Sequence, residues 1–371
     1  MSSPKSPGGL GPRLLARAPL LLLGMVSLVA GVWGGLARLQ VPVPLPNGDA
    51  RWLTFHGPLM VCGFLGTVIG LERAVGLPQR WVFGAPLLTA LGSLALLGGA
   101  PWRPAAGAIT SGSALLVCAA VQVVRMRNEL FTLTMASGAG LWLVGNILWL
   151  LDLPLPQVVP WWIGFLGLTI VGERLDLSRF QKPDPRALPL VLAALGLFLA
   201  GVAWTRVDPA RGIKVTGAGL VSLALWLARF DIARKTVRQP GLPRFMALCL
   251  LVGYAWLAMA GLLLAAEAPT LSGPYYDAAL HSFFLGFVFS MIFGHAPVIF
   301  PSVLGLPFAY TPRFYLHVAL LHLSLLLRVG GDLAPWEPGR RWAGVFNALS
   351  IAAFALNTAT SLASARKPTK R

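Results

Sequence analysis

Residues 56–73 read HGPLMVCGFLGTVIGLER, an apolar run opened by His56 and closed by Glu72-Arg73. As a helix, a run of this length spans about 27 Å, close to the hydrocarbon thickness of a bilayer. Its pattern returns twice. Gly63-Phe64-Leu65-Gly66, Ile69 and Glu72-Arg73 recur with identical spacing as Gly164-Phe165-Leu166-Gly167, Ile170 and Glu173-Arg174. A weaker third copy reads Gly286-Phe287 and Ile292, then His295 where the others have Glu. One Gly-Phe-Leu means little in an apolar chain. Two with the same offset to Glu-Arg, and a third in step, define a repeat.

Outward from this stretch, apolar runs fall near 18–37, 53–71, 81–99, 106–124, 130–150, 158–174, 188–205, 213–229, 245–266, 276–299, 313–331 and 342–364. The copies lie on the second, sixth and tenth runs, so the period is four helices. The expectation is an all-α polytopic membrane protein of about 12 helices, built as three four-helix arcs around a pseudo-threefold axis along the membrane normal. Residues 18–364 form one transmembrane domain. Residues 1–17 read as a disordered Ser/Pro/Gly tail and 365–371 as a basic tail. Gly and small residues on the runs read as helix contacts.

Composition agrees. Of 371 residues, 56% are hydrophobic and 12% charged, and the mean hydropathy is +0.72. Soluble domains carry about 25% charge. A soluble enzyme, a secreted disulfide domain and a disordered chain are excluded. The net charge of +17 raises the question of nucleic acid. With the N-terminus inside, however, 21 of the 30 Lys and Arg fall on one side of the twelve runs. Positive residues are retained in the cytoplasm during insertion, so the excess reads as an insertion record, with both termini cytoplasmic and the surplus facing anionic headgroups. The partner expected is the lipid bilayer of a bacterial inner membrane, with no nucleic acid. Trp52, Trp81, Trp102, Trp161, Trp204 and Trp342 at run ends fit an interfacial belt. Cys62, Cys118 and Cys249 form no CxxC, CxxCH or metal spacing and read as packing residues.

The five histidines carry the chemistry. All lie on the runs or at their ends, where ionisable groups are costly and mark function. His56 opens the second run and His281 the tenth. Aligned on Gly63 and Gly286, they sit two positions apart in register, at one depth. Two neutral imidazoles facing each other at one depth are what a bis-His haem needs. His295 follows His281 by fourteen residues, about 21 Å along a helix, so the two cannot share one iron. His317 lies near the depth of His295, and His322 near mid-membrane. His295 with His317 is a candidate for copper or a second haem, with His322 a further metal candidate. Each could equally be a hydrogen-bonded packing residue. Arg51 is a candidate partner for a haem propionate. Glu72 and Glu173 read as proton acceptors or surface ion pairs, and Asn146 and Asn347 as bridges between helices. No nucleophile triad, GxGxxG or P-loop is present, and no catalytic residue is assigned.

With twelve helices in three arcs and His on the second and tenth, the chain resembles the haem-copper oxidase subunit I superfamily. The stretch from His281-Ser-Phe-Phe-Leu-Gly-Phe through Gly294-His295, with the helix ending Leu327-Arg328-Val329, is similar to the NnrS-type membrane proteins. The resemblance implies haem b held by His56 and His281, and a role in electron transfer with a redox partner protein or in the nitric oxide response. The oxidases' copper histidines on helices six and seven are missing, so no complete binuclear centre is expected. The competing reading is a 12-span secondary transporter or channel for a small molecule.

Overall fold

In lipid a backbone must satisfy its own hydrogen bonds, and a chain of long apolar runs punctuated by Pro, Gly and charge does so as helices. The computed structural model describes residues 12–46, 49–179, 184–267 and 271–365. Among them every regular element is helical, and twelve helices are long and apolar enough to cross a membrane. They are α1 (Arg17–Arg38), α2 (His56–Gly76), α3 (Arg80–Leu97), α4 (Trp102–Met126), α5 (Leu130–Leu150), α6 (Leu155–Ser178), α7 (Ala187–Trp204), α8 (Pro209–Phe230), α9 (Leu242–Ala266), α10 (Gly273–Leu304), α11 (Phe314–Leu333) and α12 (Glu337–Ser364). The protein is an all-α polytopic membrane protein.

Local chemistry sets the ends. Asp208 caps α8 by accepting from the Arg211 amide at 3.0 Å, and Glu129 with Thr132 forms a reciprocal capping box on α5. Such contacts satisfy the amides that a helix start leaves unpaired. Gly305, at φ 67°, closes α10 in the left-handed conformation that glycine adopts without strain. Several helices run past their apolar runs. α4 starts at Trp102 and carries Pro104 in its first turn, where the missing N–H costs nothing. α12 starts at Glu337 and takes in Arg340 and Arg341. The first helix begins at Pro12. Residues 1–11 and 366–371 of the expected tails lie outside the described residues.

Neighbours in sequence are neighbours in space, and α12 returns to pack on α1, which closes the circuit. Within it, the three repeat-bearing helices are the most enclosed. Their most apolar windows are 61% (α2), 72% (α6) and 61% (α10) buried, against 56% for α9, the next highest. Small residues let neighbours pack closely on them, Gly167 against the inner helix α10 and Gly66 and Gly286 against α5 and α9. Gly66 faces the Trp142 indole, Gly167 faces the Phe283 ring and Gly286 faces Trp256. The Phe64 and Phe289 rings of α2 and α10 meet at 6.0 Å. The repeat therefore marks the inner helix of each arc.

Two of the three inner helices share a further feature. α2 is π-helical over Leu59–Gly66 and α10 over Ser282–Phe289. Each segment starts four residues before the repeat glycine and ends three after it. α6 is α-helical through the same register. π turns are rare and gather at functional sites. Here they occur on the two helices that carry His56 and His281, and each begins within three residues of that histidine.

Candidate functional site

The site at the His56 end of the bundle grows from the two π-bearing helices. A one-turn helix, Arg51–Thr54, leads into α2, and a break at Phe55 (φ −94°, ψ 9°) precedes His56. The His56 Nδ1 lies 2.6 Å from the Gly31 carbonyl of α1. Its ring packs over Gly35, where any side chain would collide with the imidazole. On α10, the His281 Nδ1 lies 2.8 Å from the Asp277 carbonyl and 3.4 Å from the Asp277 Oδ1. Both rings are thus oriented through Nδ1 by a main-chain oxygen. Neither Nε2 has a protein hydrogen-bond partner among the described residues. A carbonyl on Nδ1 fixes the tautomer that leaves Nε2 as an electron-pair donor.

A charge network surrounds the pair. Arg328 of α11 bonds to Asp277, and its Nε lies 3.0 Å from the Asp332 carboxylate. Arg340 of α12 reaches the other Asp332 oxygen at 2.5 Å and Glu337 at 3.0 Å. The side chains of Arg328 and Asp332 are 4% and 0% exposed. Buried charges of this kind persist only when paired and hydrogen-bonded. Arg38 of α1 donates to the Leu53 carbonyl, three residues before His56, at 3.2 Å.

Arg51, by contrast, is committed to Asp49. Its amide donates at 2.9 Å and its Nε at 2.5 Å. The Arg51 amide, with the guanidinium, holds the Asp49 carboxyl below the ordinary carboxylate range. The expected propionate partner is thus turned to its own loop, while Arg328 is joined to His281 through Asp277 and Arg38 lies on the Leu53 carbonyl. The sequence carried a signal for Arg328: with Asp332 it forms an i, i+4 pair inside an apolar run, the placement that marks functional charge.

The other histidines go elsewhere. His295 binds the Met291 carbonyl through Nδ1 at 2.7 Å and the Arg174 guanidinium through Nε2 at 3.0 Å, so both nitrogens are engaged. The π segment between His281 and His295 also upsets the α-helical spacing expected of them. His317 is buried among Phe245, Phe293, Phe314 and Phe354, with Nδ1 3.2 Å from the Asn357 amide nitrogen. His322 accepts from the Trp256 indole at 3.1 Å. The Nε2 atoms of His317 and His322 are buried without a hydrogen bond. Among the described residues no three His, Cys, Asp or Glu side chains cluster as a metal cage.

At the opposite, Glu72 end, the Glu-Arg repeats meet. Arg73 of α2 donates to Glu173 of α6 at 2.5 Å, and Arg174 of α6 contacts His295 of α10. Arg174 also pairs with Asp231, in the turn after α8, at 3.0 Å, with side chains 3% and 0% exposed. The partner of each Arg sits on the next inner helix, at the register of the repeat Glu.

Of the remaining polar positions, Asn146 accepts from the Trp162 indole at 3.0 Å and lies 3.5 Å from the Cys62 thiol. Asn347 accepts from Ser324 at 2.6 Å. Both bridge helices as expected. Cys62 and Cys249 are buried and Cys118 is exposed.

No curated protein matches the chain in sequence. One family does match, over residues 17–363, and so over all twelve spans. The chain belongs to that family, described as a domain of unknown function (DUF8744).

Proposed function

We propose that this is a haem-binding membrane protein that holds one b-type haem between His56 and His281. The observation that carries the reading is the matched pair itself. Each imidazole is aligned through Nδ1 by a backbone carbonyl, is left with a free Nε2, and borders a π segment of identical register. Arg38 of α1, which donates to the Leu53 carbonyl three residues before His56, supplies positive charge on that side, where carboxylate groups on a haem edge would be met. Arg328 is itself fixed by Asp277 and Asp332. A haem held by two imidazoles exchanges single electrons without opening a coordination position. The residues of this chain then orient the rings, screen the carboxylates and shut out water.

The reading includes electron transfer, with a link to nitric oxide handling, and a bacterial inner membrane with the N-terminus cytoplasmic. It includes no complete binuclear centre. The spectrum decides it. Protein purified in detergent and titrated with haemin is expected to gain a saturable Soret band at about one equivalent per chain. A folded protein that gains none contradicts the reading.

The transporter reading keeps one supporting observation, the cavity beside Glu72 described below. Substrate uptake into vesicles, unaffected by His56→Ala, would favour it.

A further inference from the structure

The three inner helices make two of the three links that a closed ring would have. In α2 the residue ten positions after the repeat glycine is Arg73, which reaches Glu173. In α6 it is Arg174, which reaches His295. In α10 it is Ala296. By the same register an Arg at 296 would reach Glu72, the one remaining member. Ala296 is buried with a side chain too short to do so. Glu72 accordingly has no ion pair or side-chain hydrogen bond among the described residues. Arg73, its neighbour in the chain, is already bonded to Glu173.

A cavity of about 460 Å³ lies beside Glu72. Its walls include Glu72, Arg73, Ile69, Leu116, Phe165 and Val303, and Thr132 and Thr169 add hydroxyls. Those hydroxyls donate to backbone carbonyls, at 2.7 Å from Thr169 to Phe165 and from Thr132 to Arg127. Arg17 is turned onto the Val303 carbonyl at 2.9 Å. The volume is in the range of small-molecule sites, and the lining is the usual mix of apolar walls with few polar groups. With Arg73 cancelled by Glu173, the cavity holds one uncompensated carboxylate. Glu72 is half-buried without a partner, so the cavity is complementary to a ligand that brings an opposite charge on an apolar body.

We infer that the cavity beside Glu72 is a binding site for a lipophilic monovalent cation, with Glu72 as its counter-ion. The site is independent of haem and lies at the other end of the bundle from His56 and His281.

The test measures binding of radiolabelled tetraphenylphosphonium to the full-length protein in detergent. Saturable binding is expected for the wild type. Glu72→Gln keeps shape and removes charge, and should weaken binding about tenfold or more. Ala296→Arg completes the ring and should abolish binding, whereas Ala296→Gln, with bulk but no charge, should retain more of it. Folding of each variant is checked by thermal unfolding. If Ala296→Arg does not fold, Glu72→Gln decides alone. A folded wild type without saturable binding, binding unchanged by Glu72→Gln, or binding retained in folded Ala296→Arg overturns the inference.

Discussion

Arg73 and Glu173 meet at 2.5 Å, the Arg of one copy of the repeat on the Glu of the next. The repeat is therefore a contact rule as well as a sequence similarity: the Arg of one inner helix meets the next helix at the register of the repeat Glu. A double-mutant cycle with Arg73→Met and Glu173→Gln tests it. We expect a coupling of about 1–3 kcal/mol in thermal unfolding in detergent, the range for residues in one ion-pair network. Additive effects would remove the contact from the account.

The second link is more deeply buried. Asp231→Asn leaves Arg174 as a charge with almost no solvent contact. The expected loss is about 3–5 kcal/mol, the usual result of breaking a buried pair from one side. Replacing Arg174 and Asp231 together by Met and Asn should recover part of that loss. Unfolding midpoints of the three variants check both statements.

Close packing of the inner helices predicts opposite outcomes at two repeat glycines. A Cβ at Gly286 would lie 2.5 Å from the Trp256 Cβ, whereas one at Gly167 would lie 3.8 Å from its nearest neighbour, the Phe283 ring. Gly286→Ala should destabilise by about 1–3 kcal/mol, the cost of forcing bulk into a filled interior. Gly167→Ala should lie within about 0.5 kcal/mol of wild type. Unfolding of the two variants side by side gives the comparison.

Two arginines separate the haem reading from its rivals. Arg328→Gln should weaken haemin binding about tenfold, because it releases Asp277, whose carbonyl orients the His281 ring. Arg51→Gln should leave haemin binding unchanged, since Arg51 is spent on Asp49. Haemin titrations of both variants, monitored at the Soret band, are the measurement. Equal effects would mean that neither arginine is placed as described.

The fold was legible in the sequence because lipid simplifies the code. Apolar length gives each span, and Gly-Phe-Leu-Gly with its Glu-Arg tail gives the period of four helices. The depth shared by His56 and His281 follows from their register alone. What could not be read depends on which helices touch. Glu173 looked like a surface acid until α2 brought Arg73 to it, and His295 looked free for a metal until α6 brought Arg174. Asp231 lies in a short turn between spans, so only the packed fold shows it buried. The π segments were invisible because their residues are as apolar as the α-helical ones of α6. Arg51 was the nearest arginine in sequence to His56, but Asp49, two residues away, claims it.

The central claim is that His56 and His281 are both axial ligands of one haem. The direct measurement is electron paramagnetic resonance of the ferric haem-loaded protein, with His56→Gly and His281→Gly variants, each with and without added imidazole. The account predicts a low-spin bis-imidazole signal in the wild type, its loss in each variant, and its return when imidazole fills the vacated position. A low-spin signal that survives either substitution without imidazole would contradict it.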